Sequence, residues 1–394
     1  MRILQVFNRY LERGGEEKSV ERIALHLEAS GEEVIRFWVS SEEWTGSDAP
    51  SKFQQLCSIF YNREMERRLE AEIAKSSPDL ILTHNVFPVV SPAVYAFSLR
   101  KKIPLVQFIH NFRPFSVGGS LWLGERVAKE SLTGSYIAEV KAGAWQNSQL
   151  KSVIMALVLK NLHWQGWLRG VSHWIAISDF MREQFIEAGV EEEKISTLRH
   201  SWSADPEEPL AYDEGYYLFL GRLVPEKGLR TLIASWKILE ERLGEEAPSL
   251  VIAGSGIEED LVKRASENMA TVEYRGFVEG DVKKKLIAGS RAMLAPSVWW
   301  EPLGLVTYEA YEAGKPMIAA ASGGLTETIE EGETGFLHEP ESASSLADCI
   351  EKVESLGYSG RREMGLKGRS WLLREGSPQL WSERFEEVLA PFRP

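Results

Sequence analysis

YYLFLGRLVPEKGLRTLI, residues 216–233, decides the fold. Five apolar residues (Tyr216–Leu220) read as a buried strand. GRLVPEKG is a glycine-bounded loop, and from Leu229 to about Leu243 apolar residues recur at helical spacing. An apolar strand running through a short loop into a helix opens a parallel α/β unit, because strands covered by helices on both faces need no polar alternation. The pattern continues downstream. Ser249–Ala253 is a strand ending in Gly254-Ser255-Gly256, and Val272–Arg275, Ala292–Ala295 and Pro316–Ala319 are short strands separated by helices. Together they form a unit of about 170 residues.

Upstream the same alternation appears. Arg2–Phe7 is a strand, followed by a polar loop and a helix with Val20, Ile23, Ala24 and Leu27 on one face, stopped by Gly31. Glu33–Ser40, Asp79–Thr83, Pro104–Ile109, Trp174–Ile177 and Lys194–Leu198 are further strands, and the Pro- and acid-rich Pro206–Asp213 is a linker. Two doubly wound units are expected, with ligands at the carboxyl ends of the strands.

Composition narrows the class. The chain has 394 residues, 44% hydrophobic and 26% charged, with two cysteines, Cys57 and Cys349, far apart. This excludes a disordered, collagen-like or disulfide-stapled protein and predicts free thiols. No apolar run reaches the ~18–20 residues of a spanning helix. Arg9, Glu12 and Arg13 break the only candidate signal core, so a cytoplasmic protein is expected. Net charge is −13: residues 1–200 are balanced, and residues 201–394 carry all of it. The acidic total speaks against nucleic-acid binding. Residues 80–178 are locally +7, and Ala144–Ser178 holds Trp145, Trp164, Trp167 and Trp174 with Lys151, Lys160, Arg169 and the apolar run Val153–Leu159. Tryptophan beside basic residues suits peripheral contact with an anionic membrane face, while a buried helix with core tryptophans explains the same residues.

Several motifs carry chemistry. Arg222 and Lys227, five positions apart on the GRLVPEKG loop, suit a diphosphate, although a surface charge cluster gives the same string. In EPLGLVTYEA (301–310), Pro302 sits near a helix start, and the N–H groups of Gly304, Leu305 and Val306 are open to an anion. Glu309 lies one to two turns inside that helix, where a carboxylate can accept both hydroxyls of a ribose, and Glu301 sits at the loop mouth. An acidic residue stabilising the helix dipole is the plainer explanation. SGGLTET (322–328) is a flexible turn opening a helix, and GETGFL (332–337) a tight turn with an apolar end. Gly14-Gly15 lies in the first βα loop, and His110-Asn111 ends the strand 104–109.

These pieces, in this order, resemble glycosyltransferase family 4, the retaining nucleotide-sugar transferases of GT-B fold. The resemblance rests on GRLVPEKG, the E-x7-E of PSVWWEPLGLVTYEA (296–310), SGGLTET, GETGFL, AGSG (253–256) and YRGFV (274–278). It is looser over RGGEEKSV (13–20), SPDLILTHN (77–85), QFIHNFRP (107–114) and WIAISDFMREQFIEAGV (174–190). It implies two Rossmann-like domains facing each other across a cleft: an acceptor-binding domain at 1–205, a nucleotide-sugar-binding domain at 206–377, and a C-terminal helix at 378–394 crossing back to the first. By resemblance, Arg222 and Lys227 would hold the donor diphosphate and Glu309 the ribose. Glu301 and the backbone of Leu303, Gly304 and Leu305 would hold the sugar. Gly15 would approach the distal phosphate, His110 would line the reaction centre, and the main chain of Val278 would lie near the base.

Two departures touch the acceptor side. Arg199-His200-Ser201-Trp202 stands where many relatives have Asn-Gly or a similar pair, and residues 115–135 lack the paired cysteines of close bacterial relatives. Asp-x-Asp, the metal-binding signature of the other main transferase fold, is absent, so no metal or other cofactor is expected. The implied activity is transfer of a sugar to a hydroxyl of a glycan or lipid-linked acceptor in envelope or exopolysaccharide synthesis. The alternatives are a nucleotide-sugar 2-epimerase of the same fold and a non-catalytic nucleotide-sugar-binding protein.

Overall fold

The structure, a computed structural model, describes residues 1–11, 14–205, 209 and 212–393. Most of the expected linker Pro206–Asp213, and with it the expected boundary at 205/206, lies outside the described residues, as does Arg13 of the RGGEEKSV stretch. The chain packs as two compact units, Met1–Ser201 joined by the segment from Pro378 onward, and Trp202–Ser377.

The first unit holds a parallel six-stranded sheet of β1 (Arg2–Arg9), β2 (Glu33–Ser40), β3 (Leu80–Thr83), β4 (Leu105–Ile109), β5 (Val171–Ala176) and β6 (Ile195–Thr197), ordered β2-β1-β3-β4-β5-β6. β1 pairs with β2 through Ile3↔Val34 and with β3 through Ile3↔Leu80. The strand order therefore reverses at β1/β3, and the loops leaving those two strands diverge above a crevice. Within this unit the helix Pro378–Leu389 lies on the helix Gly15–Ala29, with Trp381 and His26 rings 5.3 Å apart. Arg393 adds an ion pair to Glu32 at 2.7 Å.

The second unit has the parallel order β12-β11-β10-β7-β8-β9, from β7 (Tyr216–Leu220), β8 (Ser249–Ala253), β9 (Val272–Tyr274), β10 (Ser290–Ala295), β11 (Met317–Ala320) and β12 (Gly335–His338). Its reversal falls at β7/β10, paired through Met293↔Leu218 and Leu294↔Phe219. Tyr217, Phe219, Leu250 and Ile252 bury one face of the sheet against Leu232, Trp236 and Ile350. The indole N–H of Trp236 donates to the Pro248 carbonyl at 2.8 Å.

Two sequence readings need correction. GETGFL is a turn only as far as Thr334; Gly335–His338 is the edge strand β12, pairing with β11 through Ile318↔Phe336. Glycine at a strand's first position and only four residues of length hid the β pattern. Among the four tryptophans of 144–178, Trp174 is a core residue, 3% exposed. Trp145 lies under the Arg113 guanidinium at 4.5 Å, and Trp167 meets Tyr61 edge-on. Only Trp164, 82% exposed, faces solvent as a membrane residue would. It ends the helix Gln149–Trp164, which buries Met155, Val158, Leu159 and Leu162 while exposing Leu150, Val153 and Leu157 beside Lys151 and Lys160. The apolar run Val153–Leu159 is thus partly core and partly surface. Among the described residues no helix is long and apolar enough to cross a membrane.

Gly228 is required by the β7 loop. It has φ +73° and precedes the helix Leu229–Leu243, and a Cβ there would lie 1.8 Å from the Pro296 carbonyl oxygen. That contact is backbone, so no side-chain rotation relieves it. Gly228→Ala therefore combines left-handed strain with a clash against the β10 loop. A loss of roughly 2–5 kcal/mol in unfolding free energy is expected by urea denaturation; a change under ~0.5 kcal/mol would refute the close approach.

Candidate functional site

In the second unit, three loops meet above the β7/β10 reversal. The β7 loop, GRLVPEKG, is tied to the β10 loop by Val298 N–H to the Glu226 carbonyl at 3.0 Å. The β11 loop is tied to the β10 loop by Gly324 N–H to the Glu301 carbonyl at 2.7 Å and by the Ser322 hydroxyl to the Trp299 carbonyl at 2.6 Å. Gly323, at φ +60°, permits this: a Cβ would stand 2.3 Å from the Glu301 carbonyl oxygen.

These backbone ties bring Lys227 and Glu301 together across 74 residues. The ammonium donates to Glu301 Oε2 at 2.7 Å. The same oxygen accepts from Ser297 Oγ at 3.0 Å and Trp299 Nε1 at 2.9 Å. Burial pushes the Glu301 carboxyl upward, but the Lys227 charge and the three donors outweigh it and hold it below the ordinary glutamate range. Glu301 is thus ionised and oriented at neutral pH. Lys227 also lies 5.4 Å from the Trp299 ring centroid. Arg222 stands apart on the same loop, 66% exposed, its guanidinium 3.5 Å from Glu226.

Leu303 is buried, and Gly304 caps the helix Leu305–Glu312 in the left-handed region. In the first turn of that helix the Thr307 N–H already donates to the Gly304 carbonyl at 2.9 Å, and the N–H groups of Leu305 and Val306 precede the first intrahelical acceptor. One turn further along, Glu309 accepts from Lys283 Nζ at 2.7 Å, both side chains half-buried. Sequence reading missed Lys283, which sits in the run DVKKKL with no spacing to mark it. Val278 is half-buried in the loop between β9 and the helix Gly280–Gly289.

In the first unit, Gly15 opens the helix Gly15–Ala29 and is exposed. His110, just past β4, is buried and stacks with Phe108 at 5.0 Å and His200 at 5.3 Å. It lines a small pocket with Glu16, His84, Asn111 and Arg113. Glu16 Oε2 accepts from the Tyr10 hydroxyl at 2.8 Å and Asn111 Nδ2 at 2.9 Å, and burial raises its pKa. Sequence reading singled out neither Glu16 nor His84; each lies inside a stretch quoted for the resemblance, RGGEEKSV and SPDLILTHN, but a single carboxylate or imidazole carries no pattern. Among the described residues no group of three or more His, Cys, Asp or Glu side chains could hold a metal.

Replacing Lys227 by Met removes the charge that keeps Glu301 ionised. Because the carboxyl is depressed in the fold, its stabilisation is present above the ordinary glutamate pKa and is lost as pH falls through the lower folded value. Wild type is therefore expected to exceed Lys227→Met by about 2 kcal/mol at pH 7. In thermal denaturation from pH 7 to pH 3 the gap should close below the ordinary glutamate range; a gap constant down to pH 3 would show that the ion pair does not set it.

Two family models match the chain in succession. "Glycosyltransferase Family 4" covers residues 13–201 and "Glycosyl transferases group 1" covers residues 201–371. An uncharacterised glycosyltransferase of Methanocaldococcus jannaschii is 37% identical over 147 residues, 36% of either chain. A glycogen synthase of Thermus thermophilus is 30% identical over 175 residues, 43% of this chain and 38% of that one. The matched stretches thus span little more than a third of these relatives. Among solved structures, sucrose-phosphate synthase from Thermosynechococcus elongatus aligns over 99% of this chain and 98% of its own, with TM-score 0.70 and 19% identity. The Anabaena protein HepE, solved in complex with UDP, aligns over 99% and 100%, with TM-score 0.67 and 19% identity. Those likenesses show the GT-B fold. With the two family models running in order across both sheets, the chain belongs to glycosyltransferase family 4.

Proposed function

We propose that the protein transfers a sugar, with retention of configuration, from a nucleoside diphosphate sugar to a hydroxyl of a glycan or glycolipid acceptor, in envelope or exopolysaccharide synthesis. The observation that carries this reading is the Lys227–Glu301 contact at the β7/β10 reversal, where a doubly wound sheet binds its ligands. It places a cation and an oriented carboxylate beside a helix N-terminus, a combination suited to a phosphate bearing a polyhydroxylated group. The HepE complexes with UDP and with UDP-glucose support a nucleoside diphosphate sugar donor, and a phosphatidylinositol monomannoside mannosyltransferase of Mycobacterium tuberculosis, 29% identical over 162 residues, supports a glycolipid acceptor.

In this reading Arg222, Lys227 and the first N–H groups of the helix Leu305–Glu312 stabilise the negative charge that grows on the departing diphosphate. Glu301 and the backbone of Leu303, Gly304 and Leu305 hold the sugar hydroxyls. Glu309 holds the ribose, the Val278 main chain meets the base, Gly15 approaches the distal phosphate, and His110 stands beside the sugar. The bond from the anomeric carbon to the diphosphate oxygen breaks as the acceptor oxygen bonds to the same face. The acceptor proton passes to the departing phosphate oxygen. With two cations serving the diphosphate, the reaction needs no metal.

Incubation with UDP-, GDP- and ADP-sugars in EDTA is expected to release nucleoside diphosphate from at least one donor, and Arg222→Ala to slow it on the order of 10²-fold. No release from any donor, or release that returns only with Mg²⁺, would overturn the reading.

The acceptor chemistry extends to a peripheral contact with anionic lipid through the basic 80–178 region, at the inner face of a membrane. The support is the exposed face of the helix Gln149–Trp164, where Leu150, Val153, Leu157 and Trp164 stand beside Lys151 and Lys160. A basic residue near an anionic surface gains about 1 kcal/mol. Co-sedimentation is expected with phosphatidylglycerol vesicles at low salt, and to fall with phosphatidylcholine, at high salt, or in Trp164→Ser. Equal recovery in the supernatant with both lipids would remove the contact.

A further inference from the structure

A chain of side chains in the first unit decides which way His110 faces chemically. The Trp38 indole N–H can only donate, and it meets Gln5 Oε1 at 3.1 Å. The Val20 carbonyl can only accept, and it meets Gln5 Nε2 at 3.1 Å. These two contacts leave no freedom to exchange the oxygen and nitrogen of the Gln5 amide. The second hydrogen on Gln5 Nε2 points to His84 Nε2 at 3.1 Å, so that nitrogen is an acceptor. A neutral imidazole with an accepting Nε2 carries its proton on Nδ1, and His84 Nδ1 lies 2.9 Å from His110 Nε2. His110 Nε2 is then also an acceptor, and its proton sits on Nδ1.

The premise of neutral rings is met. Burial pushes His84 well below the ordinary histidine range, and pushes His110 down to about 3. The last atom of the chain, His110 Nδ1, is buried and has no hydrogen-bond partner among the described residues. His110 lines the small pocket that also holds Glu16, Asn111 and Arg113, where Glu16 Oε1 and Arg113 Nε are likewise buried and unpaired. A buried polar atom without a partner pays its desolvation cost in full, and a ligand group in the pocket would recover it.

We propose that Trp38, Gln5 and His84 are positioning residues that hold His110 as an Nδ1–H donor, so that its pocket takes a ligand through an accepting oxygen, a hydroxyl or carbonyl, and His110 does not withdraw a proton from it. The step from pocket ligand to transferred sugar rests on the proposed glycosyl transfer; the tautomer does not. His84 is the replaceable link. Glutamine at that position keeps one acceptor and one donor about as far apart as the two ring nitrogens, and so passes the polarity on. Methionine fills similar space and passes nothing.

The test is nitrogen NMR on the full chain labelled with ¹⁵N-histidine, with resonances assigned by single replacements. In wild type, His84 and His110 are both expected protonated on Nδ1. His84→Gln should leave His110 so, and His84→Met should give a mixture of His110 tautomers. Under the proposed activity, turnover should fall on the order of 10-fold in His84→Met and stay within about 2-fold of wild type in His84→Gln. His110 protonated on Nε2 in wild type, or an unchanged Nδ1–H in folded His84→Met, would overturn the relay. If His84→Met fails to fold, the wild-type spectrum and His84→Gln still decide it. A protein inert to every nucleotide sugar but with His110 protonated on Nδ1 would sink the transferase reading and leave the relay standing.

Discussion

The parallel pairing of β7 with β10 is the constraint from which the second unit's site follows. Parallel strands cannot be joined by a tight hairpin, so each must be followed by a crossover, and all carboxyl ends lie along one edge. β7 and β10 are neighbours whose crossovers leave in opposite directions, toward β8 and toward β11. There the loops that carry Lys227 and Glu301, 74 residues apart in sequence, lie side by side. Lys227 and Glu301 lie on those loops, which the Val298–Glu226 backbone bond ties together. Gly228 and Gly323 are the positions at which backbone passes backbone too closely for a side chain.

The two units meet the cost of burying polar groups in different ways. In the second, a carboxylate stays charged because an ammonium, a hydroxyl and an indole converge on one of its oxygens. In the first, the two imidazoles at the β1/β3 reversal are neutral, because burial discharges His84 and His110. A neutral chain needs direction instead of charge balance, and the Gln5 amide supplies it. The charged arrangement suits a polyanion, the neutral one an uncharged hydroxylated group.

Much of this was legible from local pattern. Strands such as Tyr216–Leu220 and Ser249–Ala253 coincide with the spans read from the sequence, because sheets covered on both faces leave continuous apolar runs. The helix from Leu229 to Leu243 followed from its apolar spacing. β12 escaped because four residues opening with glycine read as a turn, and only pairing to β11 makes them a strand. The tryptophans of 144–178 could not be sorted by composition, since burial of Trp174 and exposure of Trp164 depend on what packs against each.

The sequence alone determined the doubly wound class, the family, and which loops carry Arg222, Lys227, Glu301 and Glu309, since these depend on residue type and near-neighbour spacing. Tertiary structure decided the partners: Lys227 on Glu301, Lys283 on Glu309, His84 between Gln5 and His110. Each of these contacts joins residues 26 to 79 positions apart. Strand order sets such contacts, and no local periodicity encodes them.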